Sequence, residues 1–152
     1  MTENKGFSLL EVIIAMTIVS LVAVAVFVSV FAYRSKHEVS DMATNLVSAL
    51  SQARTKTIAG YNDTSYGVNI ASTSITLFSG TSFNSGASDN QVIASSTRLT
   101  IKPYLVGGAT NIYFKRLTGE TTQSGYITIK SLSNINKVAT VTIAASGVAG
   151  QI

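Results

Sequence analysis

The chain contains no cysteine. Disulfides and cysteine-based zinc sites are therefore excluded. It also has a single histidine, His37, so serine–histidine or cysteine–histidine chemistry would have to use that one residue. His37 stands between Lys36 and Glu38, just past an apolar block, and reads as a solvated flanking residue. There is no P-loop, no dinucleotide-binding motif and no zinc-protease helix motif. The acids Glu38, Asp41, Asp63, Asp89 and Glu120 are scattered along the chain. Asp63 and Asp89 each have an asparagine neighbour, and read as turn-formers rather than calcium ligands. No enzymatic activity, cofactor or metal is expected.

Charge is missing in one place above all. From Val12 to Ala32 no residue is charged, over 21 positions. A helix of that length crosses a hydrocarbon core of about 30 Å. Val, Ile, Ala, Leu and Phe surround it on every side, whereas a soluble amphipathic helix is apolar on one face. A cleaved secretory signal is a competing reading, with small residues at Ala23-Val24-Ala25 and Val30-Phe31-Ala32. The block exceeds the usual signal core of about 7–15 residues, and cutting after Ala25 would leave Val26 to Ala32 on the mature end. A plain single-pass anchor is the other reading. Lys5 precedes the block while Arg34 and Lys36 follow it, a bias that leans slightly against an N-terminus facing the cytoplasm.

Glu11 separates these readings. It lies between Leu10 and Val12, inside an apolar stretch that begins at Phe7. A carboxylate at membrane depth costs roughly 2.5–3.5 kcal/mol on insertion scales, and less near a helix end where it can snorkel. A plain anchor has no use for it. A cation is needed, and the obvious one is an α-amino group freed by cleavage a few residues upstream.

The run Lys5-Gly6-Phe7-Ser8-Leu9-Leu10-Glu11-Val12-Ile13-Ile14-Ala15 closely resembles the signal of type IV prepilins and type II secretion pseudopilins. That signal has a short hydrophilic leader ending in Gly, a first mature Phe, a fifth mature Glu and a long apolar helix. The resemblance implies cleavage by a prepilin peptidase after Gly6 and N-methylation of Phe7. It implies that Glu11 pairs with the Phe7 amine of a neighbouring subunit, which sets register because either charge left unpaired in a low dielectric is costly. The implied partners are the peptidase, other pilin or pseudopilin subunits, an inner-membrane assembly platform and membrane lipid. The implied location is the inner membrane, single-pass, with an extracytoplasmic head that later joins a filament. Ser20 to Phe31 lacks the proline that major pilins often carry there, which favours a minor or pseudopilin role.

Beyond the block, Val39, Met42, Ala43, Leu46, Val47, Leu50 and Ala53 recur at spacings of three and four. Asp41, Asn45, Gln52 and Arg54 fall mostly off that stripe, and Gly60 is placed to stop a helix. The helix is expected from Phe7 to Ala59. From Tyr61 the texture changes to short alternating runs. Strands are expected over 66–70, 74–78, 91–94, 98–102, 111–114, 126–130 and 139–143. Gly80 to Asn90 reads as an exposed loop, and Gly107-Gly108 and Gly119 as turns. The expected fold is α+β: a long N-terminal α-helix, membrane-spanning in its first half, packed by its second half against an antiparallel β-sheet head. The expected divisions are a leader at 1–6, an assembly segment at 7–33, an amphipathic segment at 34–60 and a head at 61–152.

The order Ile112-Tyr113-Phe114, Gly119, Gly125 to Ile129, Lys137 to Ile143 and Ser146-Gly147 resembles the GspH/FimT group of minor pseudopilins, as does Leu50 to Ile58. Some members of that group bind DNA through Arg residues after the terminal Gly. Here Val148, Ala149 and Gly150 follow Gly147. Nucleic acid is nonetheless a second candidate partner, because from Gln91 onward six cations (Arg98, Lys102, Lys115, Arg116, Lys130, Lys137) face Glu120 alone. The tyrosines at 61, 66, 104, 113 and 126 are assigned to the sheet or its surface rather than to a stacking platform.

Overall fold

A computed structural model describes residues 8–134 and 136–152, with the backbone alone for residues 28–36. One α-helix, α1, runs Leu9–Ile58. Eight strands follow: β1 Tyr66–Ile70, β2 Ser74–Ser79, β3 Gln91–Ala94, β4 Leu99–Leu105, β5 Asn111–Tyr113, β6 Gly125–Ser131, β7 Val138–Ile143 and β8 Ala149–Gln151. The α+β class expected from the sequence is the one observed. The chain divides into two compact units, Met1–Arg34 and Ser35–Ile152.

Within the second unit, α1 presents the predicted stripe. Val39, Met42, Ala43, Leu46, Leu50 and Ala53 are buried, joined by Ala49, and Val47 is half-buried. Asp41, Thr44, Asn45, Ser48 and Gln52 lie on the wet side. The helix stops where the sequence says it should. Gly60 takes the left-handed conformation at φ 62°, open to glycine at little cost, and its N–H donates to Thr57 O at 3.2 Å.

The strands form two four-stranded antiparallel sheets, not one sheet region. One has the order β3-β2-β1-β5 and the other β4-β6-β7-β8. A single core joins the helix stripe to Val68, Ile70, Ile75, Leu77 and Ile112 of the first sheet and to Ile101, Ile127, Ile129 and Val141 of the second.

Strand bounds differ from expectation in informative places. β4 runs through Pro103 to Leu105 instead of ending at Lys102. It is an edge strand, paired only with β6, and an edge tolerates a residue that has no N–H to donate. β8 was not expected at all. Ala-Gly-Gln has weak strand propensity, and its pairing to β7 through Ile143↔Ala149 and Val141↔Gln151 makes it a strand.

The two sheets treat their outer faces differently. On the first sheet, Phe78 points outward yet is only 1% exposed. Gly67 leaves room beneath it, since a Cβ there would lie 2.6 Å from the Phe78 ring. Phe83, from the 80–90 loop, and Tyr113 close over it at ring-centroid distances of 5.3 and 5.6 Å. Most of that loop is exposed, as expected, but Phe83 ties it to the sheet. On the second sheet, Tyr104 and Tyr126 stack on the outer face and stay exposed among the described residues.

Thr57 ties the helix to the first strand. Its Oγ1 donates to Ala53 O at 2.8 Å and accepts from the Tyr66 N–H at 2.8 Å, in a site 1% exposed. Thr57→Val keeps the shape but strands the Tyr66 N–H away from water. It should destabilise the head by about 1–3 kcal/mol, and Thr57→Ser should cost less. Urea unfolding of the two variants checks this; equal midpoints for valine and wild type would contradict it.

Candidate functional site: an apolar helix bearing one carboxylate

Within the first unit the described part of α1 begins at Leu9 and carries an apolar surface on every side. The segment Leu9–Phe27 has a mean hydropathy of 2.7, and none of it is buried by the rest of the protein. Every Leu, Ile, Val, Met and Phe in it is exposed, from Val12 at 46% to Leu9 at 78%. Each such side chain moved out of water contributes about 1.5–3 kcal/mol. The segment is therefore long and apolar enough to cross a bilayer. Its hydroxyls do not oppose that transfer. Thr17 Oγ1 lies 2.7 Å from Ile13 O and 2.9 Å from Ile14 O, and Ser20 Oγ donates to Thr17 O at 2.8 Å. These polar groups are satisfied inside the helix, as they must be in lipid.

Glu11 is the exception. It occupies the first turn and is exposed. The unpaired N–H groups of a helix start favour a carboxylate there. Among the described residues it has no ion-pair partner. Gly6 and Phe7, the other residues that the sequence marks, lie outside the described residues. The remaining acids stand elsewhere. Asp63 meets Arg116 at 2.5 Å, Glu120 meets Lys115 at 3.6 Å and Glu38 meets Arg98 at 3.8 Å, all surface pairs of small energetic weight. Asp89 accepts from Ser79 Oγ. Among the described residues no cluster of His, Cys, Asp or Glu could hold a metal ion.

The head has a second constellation that its glycine spacing only hinted at. Arg54 Nε donates to Gly119 O at 3.2 Å. Gly147, at φ 78°, packs so closely that a Cβ would sit 1.9 Å from that same oxygen. The Thr121 N–H donates to Ala145 O at 2.9 Å alongside. The turn after β5 and the turn before β8 are thus locked to the helix end.

Residues 1–27 match the prokaryotic N-terminal methylation motif. The motif stands on the apolar helix, and an α+β head of pilin-like fold follows it. Among solved structures, the type IV minor pilin FimU of Pseudomonas aeruginosa strain PAO1 has the same fold. In one crystal form the TM-score is 0.59 at 14% identity, covering 80% of this chain and 92% of that one. In a second crystal form it is 0.54 at 13% identity, covering 74% and 91%. A search of curated proteins found no match to the sequence.

Gly147→Ala combines a left-handed backbone with a collision against Gly119 O. It should lower the stability of the head by at least about 2 kcal/mol, while Gly150→Ala, with open space around it, should cost well under 1 kcal/mol. Denaturant midpoints of the two variants measure the difference.

Proposed function

We propose that this chain is a minor pilin-type subunit. It is cut by a prepilin peptidase after Gly6, methylated on Phe7, and built through its apolar helix into a type IV pilus or a type II secretion pseudopilus. The observation that carries the reading is one carboxylate, Glu11, on an otherwise apolar and unburied helix whose N-terminus matches the methylation motif. Before assembly the helix anchors the chain in the inner membrane, with the head on the extracytoplasmic side. Residues 1–6 act as the leader, 7–33 as the assembly segment, 34–60 as the amphipathic segment and 61–152 as the head. On assembly the Phe7 amine of a neighbouring subunit approaches Glu11, and the ion pair offsets the burial of both charges. A subunit docked one turn out of place leaves both unpaired. The absence of proline from Ser20 to Phe31, together with the fold shared with a minor pilin, supports a minor subunit over a major one.

The test separates anchoring from assembly. Glu11→Leu removes an insertion cost, so it should reach the membrane at wild-type levels. It should then be lost from sheared filaments by tenfold or more, since breaking one side of a buried pair costs about 3–5 kcal/mol. Immunoblots of membrane and filament fractions read both quantities. Wild-type incorporation of the Leu variant would remove the assembly role of Glu11.

A further inference from the structure

The head's core begins at Val39, and Glu38 before it stands six residues past Ala32, the last residue of the uncharged block. Six residues reach about 20 Å even at full extension. Whatever packs around Glu38 and Val39 is held within that distance of the block. Two segments of the head do so. Arg98, which leads into β4, meets Glu38 at 3.8 Å. The turn between β6 and β7 lies beside it, where the Leu132 N–H donates to Arg98 O at 2.6 Å. At the other foot of the turn, Asn136, Lys137 and Val138 share an open cleft of about 340 Å³ with Val39, Ser40 and Gln151.

The turn is ordered. The Ser131 N–H donates to Lys137 O at 3.0 Å, the Lys137 N–H to Asn134 O at 2.9 Å and the Asn134 N–H to Ser131 Oγ at 3.3 Å. Leu132 is thereby held out in water, 65% exposed. A lone exposed leucine is ordinary. This one is flanked by Arg98, Lys130 and Lys137, and an apolar side chain ringed by cations suits a lipid interface. Among the described residues Lys130 and Lys137 have no ion-pair partner. At the far end of the head, Lys115 is paired with Glu120 and Arg116 with Asp63. No Asp or Glu lines the cleft, and Ser40, Asn136 and Gln151 bring neutral donors beside Lys137. In the connecting chain Arg34 and Lys36 add two cations, against Asp41 and the already paired Glu38.

We infer that this end of the head docks on an anionic phospholipid surface, that of the bilayer the apolar helix crosses. Leu132 enters the interface, and Arg98, Lys130 and Lys137 meet phosphate-diester headgroups. The inference rests on the anchoring reading given above, and it holds whichever side of the membrane the head occupies. A subunit that leaves the bilayer for a filament has to break these contacts, so docking separates the stored subunit from the assembled one.

The experiment uses the full chain in vesicles. The chain has no cysteine, so Ser133→Cys on the exposed turn gives a single site for a fluorophore. Ala59→Cys, about 30 Å along the helix from Glu38, gives a second chain labelled at the far end. The vesicles are phosphatidylcholine with or without phosphatidylglycerol, and a spin-labelled lipid in both leaflets quenches any fluorophore at the surface. With phosphatidylglycerol at low salt, the label at 133 should be quenched and the label at 59 should not. Omitting phosphatidylglycerol or raising the salt should release the turn. Lys130→Gln with Lys137→Gln should lower the ratio of docked to free heads about 25-fold, at roughly fivefold per cation. Leu132→Ser should lower it about tenfold. Circular dichroism melts confirm that each variant is folded. The proposal is overturned by quenching that ignores the double lysine variant or is as strong in pure phosphatidylcholine. It is overturned equally by release with inorganic phosphate at constant ionic strength, which would assign the cleft to a soluble phosphate. A chain that floats with anionic vesicles while its label at 133 stays unquenched contradicts docking alone. A chain that does not float with the vesicles contradicts the anchoring reading as well.

Discussion

A helix surface that is apolar all the way round has to leave water, and the segment Leu9–Phe27 is such a surface. The magnitudes decide its fate. A handful of its exposed Leu, Ile, Val and Phe side chains, at about 1.5–3 kcal/mol each, outweigh the roughly 2.5–3.5 kcal/mol set against them by one carboxylate. The segment can therefore carry Glu11 into lipid. Once there, the same low dielectric makes the acid seek a cation. On the reading proposed above, that cation is the amine of another copy or a related subunit. The transfer that anchors the chain then also supplies the force that orders it in a filament. Thr17 and Ser20 show how the rest of the segment avoids the problem, since each satisfies its hydroxyl within its own helix.

The head solves a separate problem, which is to bury a narrow helix stripe against short strands. Ala43, Leu46, Ala49, Leu50 and Ala53 of the helix are buried in one cluster with residues of both sheets. Two sheets share one core, and among the described residues only the first has an aromatic cluster closed over its outer side. Phe78, Phe83 and Tyr113 finish the first sheet, and Gly67 makes the room. On the second sheet Lys102, Tyr104, Tyr126 and Lys130 are exposed and the threonines between them half-buried.

Much of this was legible from residues alone. The helix and its core stripe follow from spacings of three and four, and Gly60 marks its end because glycine adopts the left-handed conformation found there at little cost. Strands β1 and β3 fall where alternation placed them. What stayed hidden depended on partners. Pro103 looks like a strand stop until β4 is known to be an edge. Ala149–Gln151 has no pattern of its own and exists as a strand because β7 offers it hydrogen-bonding groups. Tyr126 and Lys130 fall within an expected strand, whereas Tyr104 lies past the expected end of β4 at Lys102, and the meeting of these side chains on one face was not legible because register is a property of two segments. Glu11 was the reverse case. A charge inside an apolar run stands out in one dimension and needs no fold to be noticed.

The most direct measurement is the mass of the mature N-terminus, with the chain expressed in cells with and without an active prepilin peptidase. The account predicts a peptidase-dependent chain that begins at Phe7 and is heavier by one methyl group, with the uncut chain from Met1 when the peptidase is absent. An N-terminus at Met1, Val26 or Tyr33 in the presence of active peptidase would contradict it, and would leave Glu11 as an unexplained charge on an ordinary anchor or signal.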